Sequence, residues 1–255
     1  MEMLQDFRKK LDDGETVCGI FMKTCDAAFV EIAGLAGFDF VILDMEHGPV
    51  GYENLQHLIR AAVQTHTLPI VRIPDSADIS ISKPLDLGAS GIQVPHIKNA
   101  GDAEAAVSAA RFFPAGERGM CRYVRAANYS AISKEEYFSK AGGILVILQL
   151  EGKEAIANLD GILEVEGIDI LFIGPYDLSQ SMGLPGQVDH PEVVGAMESI
   201  IRRARAKGKV IGTFTDNMDL AAMWKRAGVQ YLSHSVDVRI FLEGCKRVAD
   251  EMNRL

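Results

Sequence analysis

Eight short apolar runs rich in β-branched residues punctuate the chain, and longer stretches of helical period separate them. The runs are Val17 to Met22, Phe38 to Leu43, Ile70 to Ile73, Gly91 to Val94, Ile144 to Leu150, Asp169 to Ile173, Lys209 to Phe214 and Val229 to Leu232. Between them lie amphipathic segments, AAFVEIAGLAG, NLQHLIRAAVQ, AEAAVSAARF, EAIANLDGILEVEG, PEVVGAMESIIRRARAKG and DLAAMWKRAG, most of which end in the glycine that commonly closes a helix. Strands alternating with helices specify a parallel sheet wrapped by helices. Eight such units in 255 residues have the dimensions of an α/β (β/α)8 TIM barrel, expected as a single domain over residues 1–255. An open doubly wound sheet is the competing architecture. Against it, no GxGxxG follows the first run, no Walker loop is present, and no compositional break divides the chain.

One connection is irregular. After Val94 the pattern predicts a helix near Asp102 to Arg111, then the loop RFFPAGERGMCRYVRAANYS, then a second helix near Lys134 to Ala141. A long loop inside a compact barrel is usually functional.

Charge narrows the partners. With 26 Lys and Arg against 35 Asp and Glu the chain carries a net charge of −9, which removes the basic footprint of a nucleic-acid-binding protein. No apolar run approaches the roughly 18 to 20 residues of a membrane helix, and MEMLQDFRKKLDDGE patterns as an amphipathic helix rather than a signal peptide. A cytoplasmic protein without membrane or nucleic-acid partners is expected. Cys18, Cys25, Cys121 and Cys245 show no metal-ligand spacing and are expected to be reduced thiols.

The active site of such a barrel lies at the C-terminal ends of its strands. Polar residues concentrate there: Asp44, Glu46 and His47 after the second run, Arg72 in the third, Gln149 and Glu151 at the fifth, Gly174, Pro175 and Asp177 after the sixth. Glu151 and Asp177 on successive strands make a hard oxygen pair suited to Mg2+ or Mn2+; two solvated loop acids would have the same spacing. Asp44 and His47 are spaced for an acid/base dyad, or for a histidine tied to a backbone carbonyl, with Glu46 as support. Arg72 leaves an apolar strand and needs an anion, either a substrate or a loop carboxylate. Gly174 and Pro175 allow backbone N–H groups to approach a ligand, or form a plain turn with Asp177 as a helix cap. Lys23 is the lysine placed for Schiff-base chemistry. His96 and the remaining histidines form no ligand pair, and the ends of the last two strands lack the glycine-rich loop of a phosphate site.

The strings DMEHGP, RIP and FIGPYDLS in that order, with GIFMK, LDLGASGIQVPHIKNAGDAEAAV, PAGERG and ILQLEG around them, resemble the HpcH/HpaI family of class II aldolases over almost the whole chain. The resemblance implies metal-dependent making or breaking of C–C bonds through a pyruvate-type or oxaloacetate-type enolate. It implies Glu151 and Asp177 as metal ligands, His47 with Asp44 as the acid/base dyad and Arg72 as enolate stabiliser. Gln149 and the Gly174–Pro175 backbone would then hold the 2-oxo acid. It also implies a homo-oligomer, commonly a hexamer built from dimers, with Asp86 at a subunit contact. The chain departs from many relatives at Phe21, where they have Trp, and at Gly152, where they have Thr. Arg118, Arg122 and Arg125 make its long loop unusually basic, and Arg122 and Arg125 are expected to bind carboxylates of the carbonyl acceptor. A citrate-forming relative of siderophore biosynthesis, condensing oxaloacetate with acetyl-CoA, is also similar. A non-catalytic keto-acid-binding barrel would keep Arg72 and the Gly174 turn without needing both His47 and Asp44.

Overall fold

The computed structural model describes residues 2–255. Eight strands, β1 (Val17–Met22), β2 (Phe40–Asp44), β3 (Leu68–Arg72), β4 (Gly91–Val94), β5 (Leu145–Leu150), β6 (Ile170–Ile173), β7 (Val210–Thr215) and β8 (Tyr231–Val236), close in sequence order into one parallel barrel. Helix α1 (Glu2–Asp12) precedes β1, and α2 (Ala27–Leu35), α3 (Tyr52–Gln64) and α4 (Asp78–Asp86) follow β1, β2 and β3. The connection after β4 holds α5 (Ala100–Ala110), a short 3-10 turn (Arg125–Ser130) and α6 (Lys134–Gly142). Then come α7 (Lys153–Ala157), α8 (Leu159–Leu163), α9 (Pro175–Ser181), α10 (Pro191–Ala206), α11 (Met218–Ala227) and α12 (Asp237–Met252). Among the described residues no helix is long and apolar enough to cross a membrane.

All eight expected strands form, with edges displaced where hydrogen bonding and apolar pattern disagree. β2 starts at Phe40 because Asp39 turns its carboxylate onto the Cys18 N–H and Lys10. β3 lies two residues earlier at its start and ends on Arg72, which pairs in register with Asp44 on one side and Gln93 on the other. β8 moves from the expected Val229–Leu232 to Tyr231–Val236, since the ladder with β7 continues through Ser233 and His234 after the apolar pattern stops.

Strand side chains divide between two cores. Phe21, Phe40, Ile42, Ile70, Ile147 and Phe172 fill the barrel interior, whereas Val41, Leu43, Val71, Val146 and Leu171 pack outward against the helices. Alternation along a strand produces that division. Helix α1 inserts Phe7 and Leu11 into the interior cluster at the N-terminal end, where Phe7 meets Phe40 and Tyr231 edge-on at 6.0 and 6.4 Å between centroids. Gly19 is required in this layer, because a Cβ there would overlap the Phe40 ring. With one end filled, the opposite end is left for a ligand.

Candidate active site

A cavity of about 270 Å³ opens at the C-terminal end of the barrel, walled by Phe21, Phe172 and Phe214 and lined by Lys23, His47, Arg72, Gln149, Gly174, Pro175, Tyr176 and Asp177. Polar and turn residues from five strand ends thus meet around an aromatic floor. The expected residues His47, Arg72, Gln149, Gly174, Pro175 and Asp177 are brought together here.

Arg72 is held on three sides. Its Nε and Nη2 donate to the two oxygens of Asp44 at 2.9 and 2.7 Å, its Nη1 lies 3.0 Å from Glu46, and its Cζ sits 4.7 Å from the Phe21 ring centroid. Lys23 Nζ also donates to Asp44. Burial by itself would raise the Asp44 pKa, but Arg72 and Lys23 outweigh it and hold the carboxyl at about 2. Asp44 therefore stays ionised as the counter-ion that keeps a guanidinium buried. The expected dyad is corrected on this point. Asp44 accepts from the backbone N–H groups of Glu46 and His47, not from the His47 ring. The imidazole is 60% exposed, and its nearest acid is Glu46, with Nε2 3.9 Å from the carboxylate. Lys23, committed to Asp44, is unsuited to the amine role open to it in sequence.

Glu151 lies behind Gly174. Its Oε1 accepts from the His96 backbone N–H at 2.7 Å and faces His96 Nδ1 at 2.7 Å, and its Oε2 accepts from Gln149 Nε2. Gln149 is fixed in turn by Gln93 Nε2, which donates to its Oε1 at 2.6 Å. Burial raises the Glu151 pKa against the hydrogen bonds from Gln149 and His96, and the Asp177 charge pushes it the same way. A bound cation would relieve both effects. The donor set suits one. Glu151 and Asp177 offer hard oxygens, Glu46, His96 and Glu151 bring one ligand atom each within 4.8 Å of one another, and a Cβ on Gly174 would stand 3.0 Å from Glu151 Oε2.

The Gly174 turn differs in detail from expectation. Gly174 N–H is already bonded to the Leu150 carbonyl at 3.1 Å, and Pro175 has no N–H. Gly174 is the N-cap of α9, placing Asp177 in its first turn rather than at the cap. The open backbone donors there belong to Tyr176 and Asp177.

Arg122 and Arg125 do not reach the mouth of their own barrel. Arg122 Nη2 donates to the Ile132 carbonyl at 2.9 Å, bracing the loop from within. Arg125 Nη1 donates to the Leu87 carbonyl at 3.2 Å and lines a separate cavity with Gly88, Ser90 and Ile144, residues that precede β4 and β5 and so lie at the opposite end. Asp86 is paired with Arg118 at 2.7 Å. Charge in a loop identifies a cation, while the path of the chain decides which end of the barrel receives it.

His96 is the residue that sequence spacing passed over. It follows β4 with φ of 59° and joins Glu151 to Glu46, its Nε2 lying 3.1 Å from Glu46 Oε1. The available signal was its place beyond a strand end in VPHI; no sequence-adjacent partner marked it. Asp237 was also passed over. It accepts from the backbone N–H groups of Lys23 and Thr24 at 2.9 Å and pins the end of β1.

The fold is a (β/α)8 barrel, and the relatives of the chain make it a carbon–carbon lyase of the aldolase type. Residues 18–243 match the family described as HpcH/HpaI aldolase/citrate lyase, and the chain belongs to that family. It is 36% identical over 239 residues to the 2-keto-3-deoxy-L-rhamnonate aldolase of Salmonella gallinarum (strain 287/91 / NCTC 13346), covering 93% of this chain and 89% of that protein. The crystal structure of a HpcH/HpaI aldolase/citrate lyase family protein from Burkholderia cenocepacia J2315 superposes with a TM-score of 0.92 at 28% identity, covering 97% and 99% of the two chains. That of the citrate synthase SbnG superposes with a TM-score of 0.86 at 32% identity, covering 96% and 97%.

Proposed function

We propose that the protein is a divalent-cation-dependent aldolase that cleaves and forms 4-hydroxy-2-oxo acids through a pyruvate-type enolate, with Mg2+ or Mn2+ at Glu151 and Asp177. One observation carries this reading: Arg72, locked to Asp44, faces the same small cavity as Gln149, Asp177 and the Gly174 corner over Glu151. The cation, when bound, polarises the keto oxygen and makes the C3 protons of a 2-oxo acid acidic.

Two of the five Arg72 N–H groups donate to Asp44, and Nη1 lies beside Glu46 without a hydrogen bond to it, which leaves donors for the oxygen on which negative charge develops. A preorganised donor of this kind is worth about 3 to 4 kcal/mol in the transition state. Gln149, oriented by Gln93, presents its amide to the substrate carboxylate. His47 on the rim moves the proton, with Glu46 as its nearest carboxylate. Phe21, Phe172 and Phe214 exclude water from the reacting carbon and strengthen each polar contact beside them.

The relationship to SbnG makes condensation of oxaloacetate with acetyl-CoA the second reaction to assay. The test is exchange of the pyruvate C3 protons in D2O followed by NMR, with and without Mg2+ or Mn2+. Metal-dependent exchange supports the enolate half-reaction; none in the presence of either metal rejects it. Product formation with 2-oxo acids and aldehydes, compared with citrate formation from acetyl-CoA, then identifies the acceptor. We further propose a cytosolic homo-oligomer assembled through α12, whose Ile240, Phe241, Leu242 and Val248 are exposed apolar side chains.

A further inference from the structure

We infer that His96 is a positioning residue: it occupies one oxygen of Glu151, turns the other toward the cation, and is braced by Glu46 against Arg72. The inference rests on the proposed cation site at Glu151 and Asp177. A non-glycine residue rarely adopts positive φ, yet His96 has φ of 59°. In that conformation its backbone N–H and its ring Nδ1 both meet Glu151 Oε1, each at 2.7 Å. The backbone N–H hydrogen-bonds that oxygen and the ring nitrogen lies in contact beside it, which limits rotation of the carboxylate plane. Oε2 is left toward Gly174, where the missing Cβ keeps space beside α9 and Asp177. It accepts from Gln149 and retains a second lone pair for an ion.

The far side of the ring faces a second carboxylate. His96 Nε2 lies 3.1 Å from Glu46 Oε1, and Glu46 Oε2 lies 3.0 Å from Arg72 Nη1. A chain of charged and polar contacts therefore runs from Glu151 through His96 and Glu46 to Arg72 and Asp44. Its two ends are the groups that handle the cation and the developing oxyanion. The His96 side chain is 60% exposed, so its contribution is orientation rather than packing. Outer partners of metal-ligating carboxylates commonly alter metal affinity about 10- to 100-fold.

The experiment compares wild type, His96→Ala, His96→Gln, Glu46→Gln and Asp177→Asn by calorimetric Mn2+ titration, thermal melting without metal, and pyruvate C3 exchange against Mn2+ concentration. His96→Ala should weaken Mn2+ binding about 10- to 100-fold, His96→Gln should recover part of the loss, and exchange should return toward the wild-type rate at saturating Mn2+. The metal-free melting temperatures of both variants should match wild type. Glu46→Gln should weaken Mn2+ in the wild-type background and add little in His96→Ala. Unchanged affinity in His96→Ala, with binding lost in Asp177→Asn, overturns the role of His96 and keeps the cation site. Absence of Mn2+ binding in wild type, or undiminished binding in Asp177→Asn, overturns both. Pulsed EPR separates positioning from direct ligation: nitrogen coupling to Mn2+ that disappears in His96→Gln makes the ring a ligand and overturns the positioning role.

Discussion

Arg72 and Asp44 face each other across the β2–β3 ladder as register partners, and their side chains close two parallel hydrogen bonds at 2.9 and 2.7 Å. Backbone pairing therefore sets the pair before any side chain chooses a rotamer. Both groups are buried, so the pair is screened little by solvent and its geometry is fixed on both sides.

Breaking that pair should affect folding and chemistry together. Asp44→Asn leaves a buried guanidinium partly unpaired and is expected to lower stability by about 3 to 5 kcal/mol, read from urea unfolding. Pyruvate C3 exchange should fall at least tenfold, on the order of the loss of one oriented donor or more. Arg72→Lys keeps the charge but loses the fork; exchange should fall on the order of a hundredfold, with a smaller loss of stability. Wild-type exchange in the Arg72→Lys protein would remove Arg72 from the enolate step.

Acid should weaken the protein through Asp44. Its folded pKa of about 2 lies below the unfolded value near 3.8, so the stabilisation is complete above the unfolded pKa and is lost as pH falls through the folded one. The displacement corresponds to about 2 to 3 kcal/mol. Wild-type stability should drop between roughly pH 4 and pH 2, and the Asp44→Asn protein should show a shallower dependence over the same interval, measured by urea midpoints.

Glu151 has the opposite sign. Burial and Asp177 raise its pKa, so its charged form opposes folding at neutral pH when no cation is bound. Glu151→Gln should melt no lower than wild type without metal, and the stabilisation that Mn2+ gives wild type should disappear. A melting temperature that still rises with Mn2+ would place the ion elsewhere. EDTA-treated wild type should lose exchange activity and regain it with Mg2+ or Mn2+.

Arg125 should matter for the loop and not for proton exchange. Its Nη1 bond to the Leu87 carbonyl and its place at the far end of the barrel assign it to stability. Arg125→Ala is expected to lower stability by about 1 to 2 kcal/mol and leave C3 exchange within about twofold of wild type.

Phe241 on α12 is 60% exposed beside Ile240 and Leu242. Phe241→Asp should shift the protein toward smaller species in light scattering at micromolar concentration. A monomeric wild type would contradict the proposed assembly.

The barrel was legible because each of its units is local. A run such as ILVILQL is apolar and β-rich whatever surrounds it, and the helices between runs announce themselves by period and by closing glycines. The sequence also brought Asp44, His47, Arg72, Gln149, Glu151, Gly174 and Asp177 to one end, since strand-end residues of a parallel barrel share a rim. Which of them touch was decided by register and burial. Asp44 was nearest His47 in the chain, but the β2–β3 ladder set Arg72 beside it, and a buried carboxylate pairs with the guanidinium that shares its burial. His96 has no partner within its own segment; closure of the barrel carried β4 beside β5 and put it on Glu151. Arg125 was read by its charge, whereas the return of the long loop toward Leu87 and Gly88 took it to the other end. Composition and period are properties of neighbours in sequence, so the chain alone determined its eight units and their order. Side-chain pairing depends on distances between residues far apart in the chain, which exist only once the barrel has closed.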